Sequence, residues 1–467
     1  MTFNSIFGIV IPMEVNRLSE NKMGVLPINK LLISMSLPMM FSMFVQAMYN
    51  IVDSIFVSKI SEKALTAVSL GFPFQTLMIS FGAGTCVGIN ALLSMRLGQK
   101  NQDAVNSTAL NGLFLALCNY VLFVVLAICF IDPYLKSQTN DLEIIQLAKE
   151  YLLVVMLCGF GLFFGITFDR LLQSTGKTFF TMITQLIGAI TNIILDPILI
   201  FGLGPFAKMG IAGAAVATVV GQILSMIFSI VFNYRHNFEI KLNFKNFKPD
   251  FRIICQIYKV GLPSIILQAV GSFTTYGMNI IFKSFKEISD TIIAVYGVYF
   301  KLNSFIFMPI FGMNNGIVPI VAYNYGARNK KRITKTIKTG MLYAFCIMSI
   351  GTLVFEFFPA QLLSIFEASE QMLKIGVPAL RIIATSFIGA SIAISLGTVF
   401  QALGSAVYSM IVSLARQVCV LLPVAYFFSL TGKVNLVWLC FPIAEVISVG
   451  LSLFFFIRLY NNKIKKI

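Results

Sequence analysis

The sequence predicts an all-α integral membrane protein: twelve transmembrane helices in two six-helix lobes related by a pseudo-twofold axis. Three observations lead there. Of 467 residues, 57% are hydrophobic and only 12% are charged, against about 25% charge in an ordinary soluble chain; mean hydropathy is +0.86. Apolar runs of roughly 20 residues, each able to cross a bilayer as a helix, recur from end to end. Short motifs of the first half return, in order, in the second.

The apolar runs place spans 1 to 12 at roughly 30–57, 64–93, 105–131, 146–168, 178–202, 210–232, 256–282, 291–323, 334–356, 373–399, 406–429 and 436–459. The expected organisation is an N-terminal tail (1–29), an N-lobe (30–232), an inter-lobe loop (233–255), a C-lobe (256–460) and a C-terminal tail (461–467). With the N-terminus cytoplasmic, twenty-three Lys and Arg fall on the inner side, nine in outer loops and three inside spans. That bias expects both termini in the cytoplasm. It also accounts for the net charge of +16 without nucleic acid, since the basic stretch "NYRHNFEIKLNFKNFKPDFR" (Asn233–Arg252) reads as an inner-face loop. "IFGIVIPM" (Ile6–Met13) is too short to span and follows no charged region, so it is not read as a signal peptide. The eight cysteines (among them Cys86, Cys118, Cys158 and Cys346) lie mostly in apolar segments without a CxxC pair and read as small hydrophobes. The sole histidine, His236, falls in the loop.

The repeats have nearly constant spacing. "SLPMMFSMFVQAMYNIVDSIFV" at Ser36 and "GLPSIILQAVGSFTTYGMNIIF" at Gly261 both place Leu-Pro early in the first helix of a half, and Pro38 and Pro263 are 225 residues apart. "SMRLGQKN" (Ser94–Asn101) matches "AYNYGARN" (Ala322–Asn329), and "LLQSTG" (Leu171–Gly176) matches "VFQALG" (Val399–Gly404), both at 228 residues. A duplicated unit of six spans keeps one orientation, so its copies share an axis along the membrane normal.

Ionisable residues inside spans are the functional signal, because each costs about 2.5–3.5 kcal/mol at the bilayer centre and such residues mark pathways. Asp53 in span 1 and Asp196 in "TNIILDPILI" of span 5 are the clear cases. They lie ~35 and ~29 Å along their helices from Lys30 and Lys177, at comparable depth. Gln46, Tyr49, Asn50 and Asp53 share one helix face, as do Asn192 and Asp196. Pro197 frees a carbonyl beside them, and Thr218 of span 6 adds a hydroxyl. Two carboxylates sharing a low-dielectric pocket suit the uptake of one proton near neutral pH. The same oxygen-rich set (Asp53, Asn192, Asp196, Thr218) also suits Na+, and each Asp could instead satisfy only a local hydrogen bond. Tyr49, Asn50 and Met43 are candidates for a substrate cavity, Met43 being one of several adaptable thioethers on span 1. In the second half Lys301, Arg381 and Arg416 lie within spans, with Glu445 as a candidate partner; Asp169 and Arg170 read as a local ion pair.

"LPMMFSMFVQAMYNIVDSIFVSKI" at Leu37, "GINALLSMRLGQKN" at Gly88, "TNIILDP" at Thr191 and "GMNNGIVPIVAYNYGARNKKR" at Gly312 resemble the MATE (multidrug and toxic compound extrusion) family, in particular its bacterial DinF- and MepA-type branch. The resemblance covers residues 30–460. It implies two six-helix lobes in a V around a central cavity, the MATE/MOP fold, and proton- or Na+-driven export of cationic amphiphilic drugs or dyes from a bacterial plasma membrane. It implies no cofactor beyond the coupling ion, no nucleic-acid partner, lipid as surroundings and a monomer. By motif, Asp53, Asn192 and Asp196 match that branch's N-lobe site, Gln46 matches a helix 1 glutamine of it, and Thr218 matches less specifically because the loop between helices 5 and 6 varies. Other branches carry acids on helices 7 and 10, which spans 7 and 10 here lack, so coupling is expected in the N-lobe. The alternative is a lipid-linked oligosaccharide flippase with a cationic cavity, to which Arg381 and Arg416 would contribute. A membrane enzyme such as a prenyltransferase would need clustered acids like DDxxD or a His pair, which the sequence lacks.

Overall fold

The computed structural model describes residues 21–467 apart from 246, 286, 287 and 367; "IFGIVIPM" and most of the expected tail lie outside the described residues. The N-terminal half contains α1 (Ile28–Ser58), α2 (Glu62–Gly98), α3 (Gln102–Gln138), α4 (Leu142–Leu157, continuing as Phe160–Ser174), α5 (Thr178–Phe201) and α6 (Ile211–His236). The C-terminal half contains α7 (Phe251–Phe282), α8 (Ser289–Gly326), α9 (Lys330–Phe357), α10 (Glu370–Ala384, continuing as Phe387–Ala402), α11 (Ala406–Ser429) and α12 (Cys440–Leu459). Ten are unbroken, and α4 and α10, bent by 43° and 48°, bring the candidate spans to twelve. No strand occurs among the described residues.

The sequence pattern did not anticipate the breaks. In α10 the hydroxyls of Thr385 and Ser386 each bond a carbonyl three residues back, Ile382 and Ile383, at 2.7 Å, competing with the helical ladder where it bends. In α11 residues Ala415–Leu421 widen into a π-turn just before Pro423, which cannot donate to the preceding turn. Residues 21–29, expected in the tail, belong to the fold. Lys22–Val25 form a short helix, the Met23 side chain is fully buried, and Arg332 of α9 donates to the carbonyls of Met23 and Leu26 at 3.0 and 2.7 Å. The loop between α6 and α7 is correspondingly shorter than 233–255, because both helices extend into it.

The duplication reaches the backbone. Lys100 and Arg328, 228 residues apart, are the two non-glycine residues with positive φ among the described residues, at 57° and 55°. The next residues, Asn101 and Asn329, cap α3 and α9 by accepting from Ala104 and Arg332 backbone N–H groups. Gly176 and Gly404, also 228 apart, both take positive φ.

The related glycines hold the halves together. A Cβ on Gly98 would sit 2.0 Å from the Tyr323 carbonyl oxygen, and one on Gly326 would sit 1.9 Å from that of Met95; α2 and α8 thus meet backbone to backbone at their ends. The same relation repeats along the helices: Gly84 abuts Ile265 of α7, and its counterpart Gly312 abuts Met40 of α1. Small residues are what let membrane helices approach this closely.

The C-terminal half neutralises its intramembrane cations. Arg416, in the π-turn, bonds Glu445 at 3.0 Å, with Glu445 only 6% exposed. Arg381 pairs with Glu356 at 4.0 Å, and Lys301 lies over the Phe366 ring.

Two outcomes are expected. Gly326→Ala should lose about 1–3 kcal/mol to overpacking, read as a lower thermal midpoint in detergent, whereas Gly397→Ala, whose nearest contact would be 3.7 Å away, should be neutral or stabilising. Arg416→Gln should cost about 3 kcal/mol by stranding a buried carboxylate, and the double variant Arg416→Gln/Glu445→Gln should recover most of the loss; an unrecovered double variant would count against the pair.

Candidate functional site

The candidate site lies within the N-terminal half, between α1, α4, α5 and α6. Asp196 comes from α5 and is fully buried; Asp53 comes from α1 and is half-buried. Their carboxyls lie within hydrogen-bonding reach of one another. The Asn192 amide, one turn before Asp196, satisfies its neighbours when its nitrogen donates to Asp196 Oδ2 at 3.0 Å; its oxygen then accepts from the Thr218 backbone N–H at 3.1 Å and hydroxyl at 3.2 Å. Asn192 therefore bridges α5 to α6 and fixes one face of Asp196. Tyr49, one turn before Asp53, lies close enough to interact with both carboxyls, as does Tyr151 of α4. Gln75 of α2 holds the Tyr151 hydroxyl at 2.9 Å.

Of the residues singled out from sequence, Asp53, Asn192, Asp196, Thr218 and Tyr49 come together. Gln46 and Asn50 are exposed and Met43 is half-buried on α1; among the described residues no side-chain hydrogen bond joins them to the pair. Tyr151 and Gln75 were missed. Tyr151 follows Lys149 and Glu150 in a polar stretch, so nothing in the pattern marks it as facing a carboxylate.

Asp169 is a correction. It does not pair with Arg170, which turns to Gln173 at 2.6 Å and Asn315 of α8 at 2.8 Å. Asp169 is 5% exposed and accepts from Thr184 at 2.7 Å, Ser229 at 2.8 Å and Gln185 at 3.3 Å. Adjacent residues on a helix point about 100° apart, so sequence neighbours need not share partners.

Two carboxylates at hydrogen-bonding reach repel when both are ionised. One shared proton or one bound cation removes that repulsion. Asp53 Oδ1 is buried without a partner, so the pair retains an open acceptor. The carboxylates, with the Thr218 hydroxyl and the Asn192 amide, are hard oxygen donors of the kind that also hold a small cation. Among the described residues no group of three or more His, Cys, Asp or Glu gathers. A groove of about 490 Å³ between α7 and α11, lined by residues such as Phe273, Leu422 and Phe427, is apolar and lies in the other half.

Comparison with known proteins agrees with this architecture. The family described as MatE matches residues 38–198 and 263–427, one segment in each half. A multidrug export protein MepA of Staphylococcus haemolyticus is 26% identical over 435 residues, covering 93% of this chain and 94% of its own length. A MepA of Staphylococcus aureus is 24% identical over 419 residues, with 88% and 90% covered. Among solved structures, an outward-facing multidrug resistance MATE family transporter of the MOP superfamily superposes with a TM-score of 0.89 at 25% identity, covering 96% of this chain and 99% of that one. The match falls on both copies of the duplicated unit, and on this evidence the chain belongs to the MATE family of multi-pass membrane transporters.

Proposed function

We propose that this chain is a secondary active multidrug efflux antiporter that exports cationic amphiphilic compounds in exchange for H+ or Na+ by alternating access. Its setting is a bacterial plasma membrane, with both termini cytoplasmic. The observation that carries the reading is the approach of Asp53 on α1 to Asp196 on α5 inside one lobe. Cation binding to this pair changes the charge between the two helices, and a conformational equilibrium shifts only through such a differential interaction. Pro38 in α1 and Pro197 in α5 give both helices a point where the ladder is already weakened. The relatives' description as multidrug export proteins supports the substrate class. The flippase reading is weaker, because Arg381 and Arg416 both have carboxylate partners.

The test is ethidium efflux from everted vesicles or proteoliposomes, with a pH gradient and a Na+ gradient imposed separately. Asp53→Asn and Asp196→Asn should each lower gradient-driven efflux by roughly a hundredfold while reaching the membrane in normal amount. Wild-type efflux in both variants would defeat the proposal. A response to the pH gradient alone identifies a proton antiporter; a response to Na+ alone identifies the pair with Asn192 and Thr218 as a cation cage, and Thr218→Val should then raise the Na+ concentration needed for half-maximal efflux. Folded wild-type protein that answers neither gradient would favour the flippase.

A further inference from the structure

One face of α6 carries Thr218, Gln222, Ser225, Ser229 and Asn233, and Asn237 follows just past its end, at steps of three or four residues, a polar stripe along most of the helix. Asn233 and Asn237 bond the Phe168 and Leu171 carbonyls of α4, whereas the upper part of the stripe has no such structural use for Gln222. One end touches the acidic pair through Thr218 and Asn192. In the middle Ser229 donates to Asp169 at 2.8 Å. Beyond it Asn237 donates to Asn233 Oδ1 at 2.9 Å, Lys177 reaches Asn237 at 3.4 Å, and Lys177 forms a salt bridge with Glu239. Between the outer pair and Ser229, Gln222 Oε1 is buried without a hydrogen-bond partner. Thr218, Gln222 and Ser225 are only partly buried, and a continuous route along the stripe requires water beside the open Gln222 oxygen.

A second seam runs parallel. Ser42 on α1 hydrogen-bonds Gln185 on α5, and Gln185 bonds Asp169 at 3.3 Å. Ser42 and Gln185 each lie eleven residues before Asp53 and Asp196, ~16 Å along the axes and on nearly the same helix faces. The α1–α5 seam therefore has two polar layers, the acidic pair and a lower layer anchored by Asp169.

From this placement we propose that Asp169 is a second proton-binding station of the N-lobe, and that the α6 stripe carries protons between it and the Asp53/Asp196 pair, toward the end of the lobe that holds Lys177 and Glu239. This rests on the coupling reading above. In the step, one carboxyl O–H of the outer pair breaks and one forms on Asp169; each hydroxyl or water on the way accepts one proton and gives up another, and the amides only hold these groups in place, so charge and atoms balance. The charged and titratable neighbours of Asp169 are Arg170 on its own helix and Cys86 on α2; α5 and α6 present it with neutral Thr184, Gln185 and Ser229. At the far end, burial and the neighbouring Lys177 push the Lys22 ammonium down to about 8, against the pull of Glu239, so that end has a group able to exchange protons near neutral pH.

The experiment compares two modes of transport by the reconstituted full chain: ethidium transport driven by a pH gradient, with proton flux read by entrapped pyranine, and ethidium–ethidium exchange without a gradient. Asp169→Asn and Gln222→Leu should each lower gradient-driven transport and proton flux roughly tenfold or more, while exchange stays within about twofold. Wild-type gradient-driven rates in Asp169→Asn would overturn the station, and in Gln222→Leu the route. Equal loss of both modes would mark structural damage and also overturn the proposal; Gln222→Leu keeps the test open if Asp169→Asn fails to fold. Asp53→Asn separates the two readings: if it retains gradient-driven transport, the coupling proposal itself fails, whereas its loss alongside normal Asp169→Asn and Gln222→Leu defeats only the inference drawn here.

Discussion

The close approach of backbones across the two halves is the constraint on which this architecture depends. In a bilayer the hydrophobic effect does not press helices together, because lipid tails are as apolar as leucine. Association must come from packing, and packing is tightest where no Cβ intervenes. Gly98 and Gly326 meet the opposite carbonyls at distances no side chain could tolerate, and Gly84 and Gly312 repeat the arrangement. Because the contacts come in pairs related by one sequence offset, α2 joins α7 as α8 joins α1. The halves are thereby fixed to each other by their first two helices, and the candidate site lies where α1 turns its other face toward α4, α5 and α6.

That face poses a different problem. A carboxylate enclosed in an apolar lobe needs donors or a cation, and the N-terminal half supplies donors only in part. Asp169 receives three and is well satisfied. Asp196 receives the Asn192 amide, while Asp53 keeps a buried oxygen without a partner. Of these three carboxyls, the incompletely satisfied ones are the two that face each other across α1 and α5. A proton or a small cation would complete what the protein leaves open, and the coupling proposed above therefore begins at the pair rather than at Asp169.

Much of this was legible in the sequence because the signals were strong in free-energy terms. Apolar runs long enough to span, a recurring offset and carboxylates among isoleucines each have few alternative explanations. The i, i+4 relations of Asn192 to Asp196 and of Tyr49 to Asp53 brought those side chains together, whereas Gln46 and Asn50 of the same stripe are exposed. What stayed hidden depended on neighbours distant in sequence. Tyr151 gains its place through Gln75 of α2. Asp169 was misassigned to its neighbour Arg170 because adjacency was taken for contact, whereas its partners lie on α5 and α6. The bends in α4 and α10 left no mark in hydropathy, since the breaks fall at Cys158–Gly159 and at Thr385–Ser386, short steps that keep each segment apolar on average. The segment around Met23 was assigned to a tail because it precedes the first apolar run, yet its carbonyls are held by Arg332.

The duplicated backbone also isolates what is specific to one half. By the offsets that relate the copies, Asp53 corresponds to Met278, Asp196 to Val424 and Asp169 to Gly397; none of the three acids has an acidic counterpart. Conversely Arg416 corresponds to Gly188. At Gly188 α5 and α6 touch so closely that a Cβ on the facing Gly221 would lie 2.7 Å from its carbonyl oxygen. At Arg416 the equivalent helix instead swells into a π-turn and its charge is met by Glu445. An ion pair already neutral has little to gain from binding a further cation, whereas two carboxylates without a cation have much. In the C-terminal half the buried carboxylate of Glu445 is met by Arg416, whereas in the N-terminal half two carboxyls face each other without a cation, which is why the proposed coupling is placed there.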